Sequence, residues 1–209
     1  ANYPESARGA AALLVRMVLE DGAYTNIALN QYLRGSRLSD LDRRLATELV
    51  YGTVKASGTL DWYLAQCVSR PLDKVAGDIL AILRISTYQL LYMTRIPASA
   101  AVNEAVKLAR SVSHEGSAKF VNGVLRGLLR KQEAGAFVLP DAEKQDADYL
   151  SLKYYHPRWL VKRWLGPWGR GGTERLLAFD NTAAPVCLRA NTLVTTRDKL
   201  LADLTEMGA

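Results

Sequence analysis

Apolar residues recur at helical spacing through the first 133 positions. Ala7, Ala11, Leu14 and Val18 step by four, three and four, which predicts a helix opening near Pro4 and ending at Gly22. Ile27, Ala28 and Leu29 mark a short helix over 24–33. Ser39 suits an N-cap, Asp40 and Asp42 suit the positive end of a helix dipole, and Leu41, Leu45 and Leu49 continue the stripe. Gly52 and Gly58 predict a break before a further helix over 60–68. From Val75 to Met93 the chain is apolar almost all round, with Ile79, Leu80, Ile82, Leu83, Ile85, Leu90 and Leu91. A helix without a polar face belongs in the middle of a bundle. Ile96-Pro97 stops it. Val102, Ala105, Val106 and Ala109 place a helix over 101–112, and Val121, Val124, Leu125, Leu128 and Leu129 one over 120–130.

After Glu133 the periodicity fails. Residues 134–147, with Gly135, Pro140 and mixed charge, read as a linker between a helical domain over 1–133 and a second region over 148–209. That region predicts short helices over 149–154 and 157–164, a glycine-rich loop over 166–172, and a helix from an N-cap at Thr173 to Asp180. Val186-Cys187-Leu188-Arg189 reads as a strand. Thr196 caps a last helix, with Gly208 at its C′ position. The strand has no second strand to pair with, and a lone strand leaves backbone groups unsatisfied. The expected fold is therefore mainly α: an all-helical bundle followed by the truncated start of a small α/β region. An edge strand completed by a partner chain is the alternative.

Composition narrows the class. The 209 residues are 49% hydrophobic and 23% charged, which excludes wholesale disorder. No apolar run approaches the roughly 20 residues of a membrane span; the longest, over 79–93, is broken by Arg84 and Gln89. Two cysteines, Cys67 and Cys187, cannot make a disulfide framework and suggest a reducing compartment. With no signal-peptide pattern, the expected location is cytoplasmic. Cys67 lies among apolar residues and is read as core. His114 and His156 are too few and too far apart to propose a metal site.

Charge adds a partner class. Lys plus Arg number 27 against 21 for Asp plus Glu, a formal charge of +6. A basic surface favours polyanions through counterion release. The cations cluster. From Gly116 to Lys131 stand Lys119, Arg126, Arg130 and Lys131 with no acid, and Arg126 and Arg130 share a helix face. Residues 153–175 carry Lys153, Arg158, Lys162, Arg163, Arg170 and Arg175 against Glu174 alone, interleaved with Tyr154, Tyr155, Trp159, Trp164 and Trp168. Cations hold phosphates and aromatics stack on bases. The competing reading gives the tryptophans to a small core beneath solvated cations; it is preferred for the tryptophans, and RNA contact for the cations. Asp42, Arg43 and Glu48 are expected to form an ion-pair network between helices, and Asn103 and Glu104 to serve a helix start.

Several phrases resemble one family in order. They are Asp42-Arg43, Thr47-Glu48-Leu49-Val50-Tyr51-Gly52, Leu60-Asp61-Trp62, Leu83-Arg84, Tyr88-Gln89-Leu90-Leu91, Arg95-Ile96-Pro97, Ala101-Val102-Asn103-Glu104-Ala105-Val106 and Lys119-Phe120-Val121-Asn122-Gly123-Val124-Leu125-Arg126. They resemble the NusB-like domain at the front of the bacterial Sun/RsmB ribosomal RNA cytosine-C5 methyltransferases. His156-Pro157-Arg158-Trp159-Leu160 and Leu188-Arg189-Ala190-Asn191-Thr192 resemble the start of that family's second RNA-binding region.

The resemblance implies a NusB-like RNA-binding bundle, then part of a second RNA-binding region. A further domain would hold S-adenosylmethionine and a catalytic cysteine. Here no glycine-rich turn follows a predicted strand, and Cys187 does not sit in the family's catalytic motifs. So no catalytic, cofactor-binding or metal residue is expected in these residues; S-adenosylmethionine belongs to the parent enzyme. The RNA-contact candidates are Arg8 and Arg16 on the first helix, Lys119, Arg126, Arg130 and Lys131, and Lys153, Arg158, Lys162 and Arg163. Small-subunit ribosomal RNA is the implied partner, with a ribosomal protein as a second one; no membrane and no metal are expected. A stand-alone NusB-type antitermination factor, acting in regulation of transcription, and a protein–protein scaffold are the alternatives.

Overall fold

The computed structural model describes residues 2–185 and 187–208. The described residues form nine α-helices and no strand. Helix α1 (Ala7–Leu19) is capped by Ser6 rather than opened by Pro4, and the Ser6 hydroxyl accepts from the Gly9 N–H at 3.1 Å. Gly9 has a steric reason to be glycine. A Cβ there would stand 2.1 Å from the Pro4 carbonyl oxygen. Helix α2 spans Thr25–Gly35.

Helix α3 (Asp40–Ala65) opens on Ser39, as expected. It then runs unbroken for 26 residues, so the predicted break between Gly52 and Gly58 is absent. A glycine costs a helix interior only about 1 kcal/mol. Burial of Leu49, Val50, Ala56, Leu60 and Leu64 along the same helix more than offsets that. Gly52 also has a packing role, since its missing Cβ is where the Tyr88 ring lies.

Helix α4 (Gly77–Tyr92) is the central rod that its all-round apolar pattern predicts. Every residue from Ile79 to Thr87 is buried. Its one charged buried residue, Arg84, is carried inside by Asp61 of α3: Nε and Nη2 donate to the two carboxylate oxygens at 2.8 Å each. A buried guanidinium needs such a partner.

The network expected of Asp42, Arg43 and Glu48 does not form. Arg43 instead donates to the Leu38 and Ser36 carbonyls at 3.0 Å each and fixes the α2–α3 turn. Asp42 accepts from the Ser39 hydroxyl, and Glu48 is exposed. The turn carbonyls of Leu38 and Ser36 take the Nε and Nη2 donors that an ion pair would use.

Helix α5 (Ala98–Val112) starts directly after Pro97. Asn103 and Glu104 therefore lie in its second turn rather than at its start, and Glu104 pairs with Lys107 at 2.9 Å. Helix α6 (Glu115–Glu133) begins five residues before the expected 120, capped by His114. Leu14 and Val15 of α1, Leu49 and Leu64 of α3, Ile82 and Leu83 of α4, Val102 of α5, and Val121 and Leu125 of α6 meet in one core.

Between α6 and the next helix, Phe137 packs edge-on to Tyr63 of α3, ring centroids 4.7 Å apart. Helices α7 (Asp146–Tyr154) and α8 (Arg158–Asp180) share a small core of Ala147, Leu150, Val161 and Leu177. α7 is tied to α3 by the Thr59 hydroxyl, which donates to the Leu152 carbonyl at 2.9 Å. The glycine-rich stretch is a kink, not a loop. Gly169 (φ 60°, ψ 178°) occupies a region essentially closed to other residues, and the helix resumes at once beyond it. Thr173 is consequently buried inside α8 and caps nothing.

The predicted strand falls partly on Val186, which lies outside the described residues. Cys187, Leu188 and Arg189 are not in a strand. The reason is the one foreseen: no neighbouring strand among the described residues offers a ladder. Helix α9 (Arg197–Glu206) is capped by Thr196, and Gly208 takes a left-handed φ of 79°, both as expected. α9 buries none of its residues, and Leu188, Leu193, Val194 and Leu201 are exposed. No described helix is long and apolar enough to cross a membrane.

Candidate nucleic-acid interface

Helix α6 presents the clearest cationic face. Lys119, Arg126 and Arg130 are seven and four residues apart, so they project from one side at a period of 3.6. All three are exposed. Arg126 is steadied by Asn122, whose Oδ1 accepts from Nε at 2.9 Å, leaving its outer nitrogens to solvent. Glu115, the acid nearest the start of this face, is already engaged by Arg110 at 2.6 Å. The hydrogen bonds from Arg110 hold the Glu115 carboxyl below the usual carboxylate range. Gly123 and Gly127 interleave with the cations, so no side chain there stands between a phosphate and the helix backbone.

Lys131 leaves this row. Its ammonium donates to the Gln66 carbonyl at the C-terminal end of α3, the position that favours a cation. Arg8 is half-buried, and its Nε donates to the buried Gln89 amide oxygen at 2.8 Å. Arg16 is paired with Asp21 at 3.0 Å and Asp78 at 3.4 Å. Tyr3 donates to the same Asp78 at 2.6 Å, and burial with that bond pushes its phenol well above the ordinary value. Arg8, Arg16 and Lys131 are thus engaged in holding helices together.

The second group divides likewise. Lys153 pairs with Glu174 at 3.0 Å and lies over the Tyr149 and Tyr154 rings. Arg158 forms a two-pronged bond with Asp148. Both pairs tie α7 to α8. The hydrogen bonds from Arg158 hold Asp148 below the usual carboxylate range, and those from Lys153 and Tyr154 do the same for Glu174. Lys162 and Arg163 remain exposed on α8 with no ion-pair partner among the described residues. Beside them Trp159 is exposed, whereas Trp164 packs on the small core. Trp168 is stacked on Trp164 at 6.3 Å but still more than half exposed. The tryptophans are therefore one part core and two parts surface, not the core set expected.

Sequence reasoning also missed a tyrosine cleft between α3 and the α7–α8 turn. Tyr88, Tyr92 and Tyr155 meet there with ring centroids 5.4 Å apart in each successive pair. No sequence spacing joins residues 88 and 155. The available signal is the pair Tyr154 and Tyr155 among the interleaved aromatics, but nothing local ties it to residues 88 and 92. Cys67 is half-buried and its thiol is pushed up by burial, the opposite of an activated nucleophile. No cluster of three or more potential metal ligands occurs among the described residues.

Residues 5–130 match the NusB family. The chain belongs to the NusB family. Beyond this NusB-family bundle, residues 156–209 match the RsmF/B-like methyltransferase ferredoxin-like domain. A probable ribosomal RNA small subunit methyltransferase B of Synechocystis is 39% identical over 203 residues, covering 97% of this chain and 45% of that protein. Its Bacillus subtilis counterpart is 34% identical over 189 residues, covering 90% of this chain and 41% of that protein. The chain thus spans less than half the length of these relatives.

Among solved structures, the antitermination factors NusB and NusE in complex with dsRNA include a chain similar at a TM-score of 0.55 and 21% identity, covering 59% of this chain and 93% of that one. The structure of PH0851 is similar over 100% of this chain and 46% of that one, at a TM-score of 0.65 and 20% identity. At these identities the likeness establishes the fold, and both neighbours carry the same helical arrangement.

Proposed function

We propose that this NusB-family chain is the RNA-recognition portion of a 16S ribosomal RNA cytosine-C5 methyltransferase. It would bind and position ribosomal RNA for a catalytic domain outside these residues. The carrying observation is the row of Lys119, Arg126 and Arg130 on α6, exposed, free of acidic partners and lined by glycine. Such a row contacts phosphates, which fix register without reading sequence. Lys162 and Arg163 of α8 extend the contact, beside the exposed Trp159. The division into a bundle over 1–133, a connection over 134–147 and a second region over 148–209 gives the RNA two successive supports.

S-adenosylmethionine would serve the parent enzyme, in the cytoplasm. The residues present do not fit it. Their one glycine-rich run lies inside α8 at the Gly169 kink, with no strand before it to aim a turn at a cofactor. No chemical step is assigned to these residues.

Filter binding to 16S ribosomal RNA tests this reading. The expected result is binding that weakens steeply between about 50 and 200 mM salt, with no methyl transfer by this chain alone. Salt-independent binding, or methylation by this chain, would overturn it. Capture of a ribosomal protein without RNA affinity would favour the antitermination-type reading, for which the NusB–NusE complex is the structural precedent.

A further inference from the structure

The cleft between α3 and the α7–α8 turn is built beyond what packing requires. It has two lobes of about 200 and 420 Å³, and Lys55 and Tyr155 line both. Tyr155 is the one non-glycine residue with a positive φ (61°) among the described residues, at a helix end where glycine or asparagine is the usual choice. Its ring meets Tyr92 edge-on, and Tyr92 in turn meets Tyr88. Gly52 leaves the Tyr88 ring room to lie against α3; a Cβ would stand 2.1 Å from it. Two backbone costs, a left-handed tyrosine and a mid-helix glycine, therefore maintain one aromatic wall.

The polar groups around this wall are selective. Asn181 lines the smaller lobe. Its Nδ2 donates to the Tyr154 carbonyl at 3.1 Å, which fixes the amide orientation because a carbonyl can only accept. Its Oδ1 is then buried with no hydrogen-bond partner. It is closed off from the cleft, so the amide closes the inner end of the lobe rather than offering it an acceptor. Lys55 stands exposed at the rim with no ion-pair partner among the described residues. Arg158, also on the larger lobe, is already neutralised by Asp148. Burial pushes the Tyr88 and Tyr92 phenols up, so the wall stays neutral.

The matching ligand needs a flat π body and an anion beside it. A nucleotide unit has both. We propose that this cleft holds one unstacked nucleobase of a single-stranded RNA segment, stacked on Tyr155, with its phosphate on Lys55. The assignment rests on the RNA-binding reading above and adds to it a requirement for an unpaired base. Duplex RNA keeps its bases stacked on one another and has none to offer Tyr155.

The test is fluorescence anisotropy with the 209-residue chain and two probes, a labelled 12-nucleotide single-stranded RNA of mixed sequence and its duplex. Tyr155→Gly removes the ring and gives the left-handed position the residue it prefers. The expected result is about a five- to hundredfold loss for the single strand and none for the duplex, the range for one lost base stack. Tyr155→Phe should bind as wild type. Lys55→Gln changes an exposed residue and keeps the test valid if Tyr155→Gly fails to fold. It should lower the single-strand salt slope by about 0.7.

Wild-type affinity of Tyr155→Gly, or of Lys55→Gln where the former does not fold, would overturn the base pocket and return the cleft to a protein partner. If Arg126→Glu with Arg130→Glu still weakened both probes in that case, the RNA reading would survive alone. Failure of wild type to bind either probe would overturn both.

Discussion

Replacing Asp61 with Ala removes the one anion bonded to Arg84 among the described residues, deep in the bundle. The Arg84 side chain is 11% exposed and that of Asp61 32%. Breaking a fully buried pair from one side costs about 3–5 kcal/mol, because the surviving charge stays desolvated. Asp61 reaches water in part, so the lower end applies, about 3 kcal/mol. Arg84 Nη1 already has no partner, so the guanidinium has no second acceptor to fall back on. Arg84→Met takes the opposite half away. It leaves a carboxylate that can turn to solvent, and its cost is about 1 kcal/mol. The double variant should match Arg84→Met, giving a coupling of about 3 kcal/mol. Urea unfolding followed by circular dichroism reads this directly. At an m-value near 2 kcal/mol/M, Asp61→Ala lowers the midpoint by about 1.5 M. A loss below about 1 kcal/mol, or single-variant effects that simply add, would refute the view that this pair is what permits a charge on α4.

Gly9→Ala should destabilise the chain by about 1–3 kcal/mol despite alanine's better helix propensity, because its Cβ meets the Pro4 carbonyl rather than a movable side chain; thermal melting checks this. Gly169→Ala should cost about 1–3 kcal/mol by the same assay, since φ 60° with ψ 178° is open to glycine alone. Acid should loosen α7 from α8. Asp148 and Glu174 have folded pKa values below their unfolded values of about 3.9 and 4.3, so their contribution is present above those values and is lost as pH falls through the folded ones. Tryptophan fluorescence from α8 should therefore change below about pH 4, and Asp148→Asn should remove part of that pH dependence.

Helical periodicity made the bundle legible. The all-round apolar run of α4 announced its central place, and Ser39 and Thr196 announced the starts of α3 and α9. Glycine misled where tertiary contacts decide. Gly52 and Gly58 read as punctuation, yet α3 runs through them because Tyr88 needs the space and the flanking apolar residues hold the helix. At Gly169 the sequence announced the interruption but not its brevity. The cation clusters were visible as clusters, but not which members are engaged. Arg16 and Asp78, or Lys131 and Gln66, are partners across more than 60 residues, and no local pattern encodes such distances. The same limit hid Tyr92 and Tyr155. The strand expected over 186–189 follows the residue pattern, but 187–189 is not a strand: no neighbour among the described residues offers a ladder, and a strand without one is not a stable element.

In the proposed function, α6 docks RNA by its cationic face. The most direct measurement is the salt dependence of RNA affinity for wild type and for Arg126→Glu with Arg130→Glu, both exposed residues whose replacement leaves the core intact. The expected result is a weaker complex and a slope of log affinity on log salt reduced by about 1.4–1.8, two phosphate contacts' worth. An unchanged slope at unchanged affinity would show that RNA does not use this face.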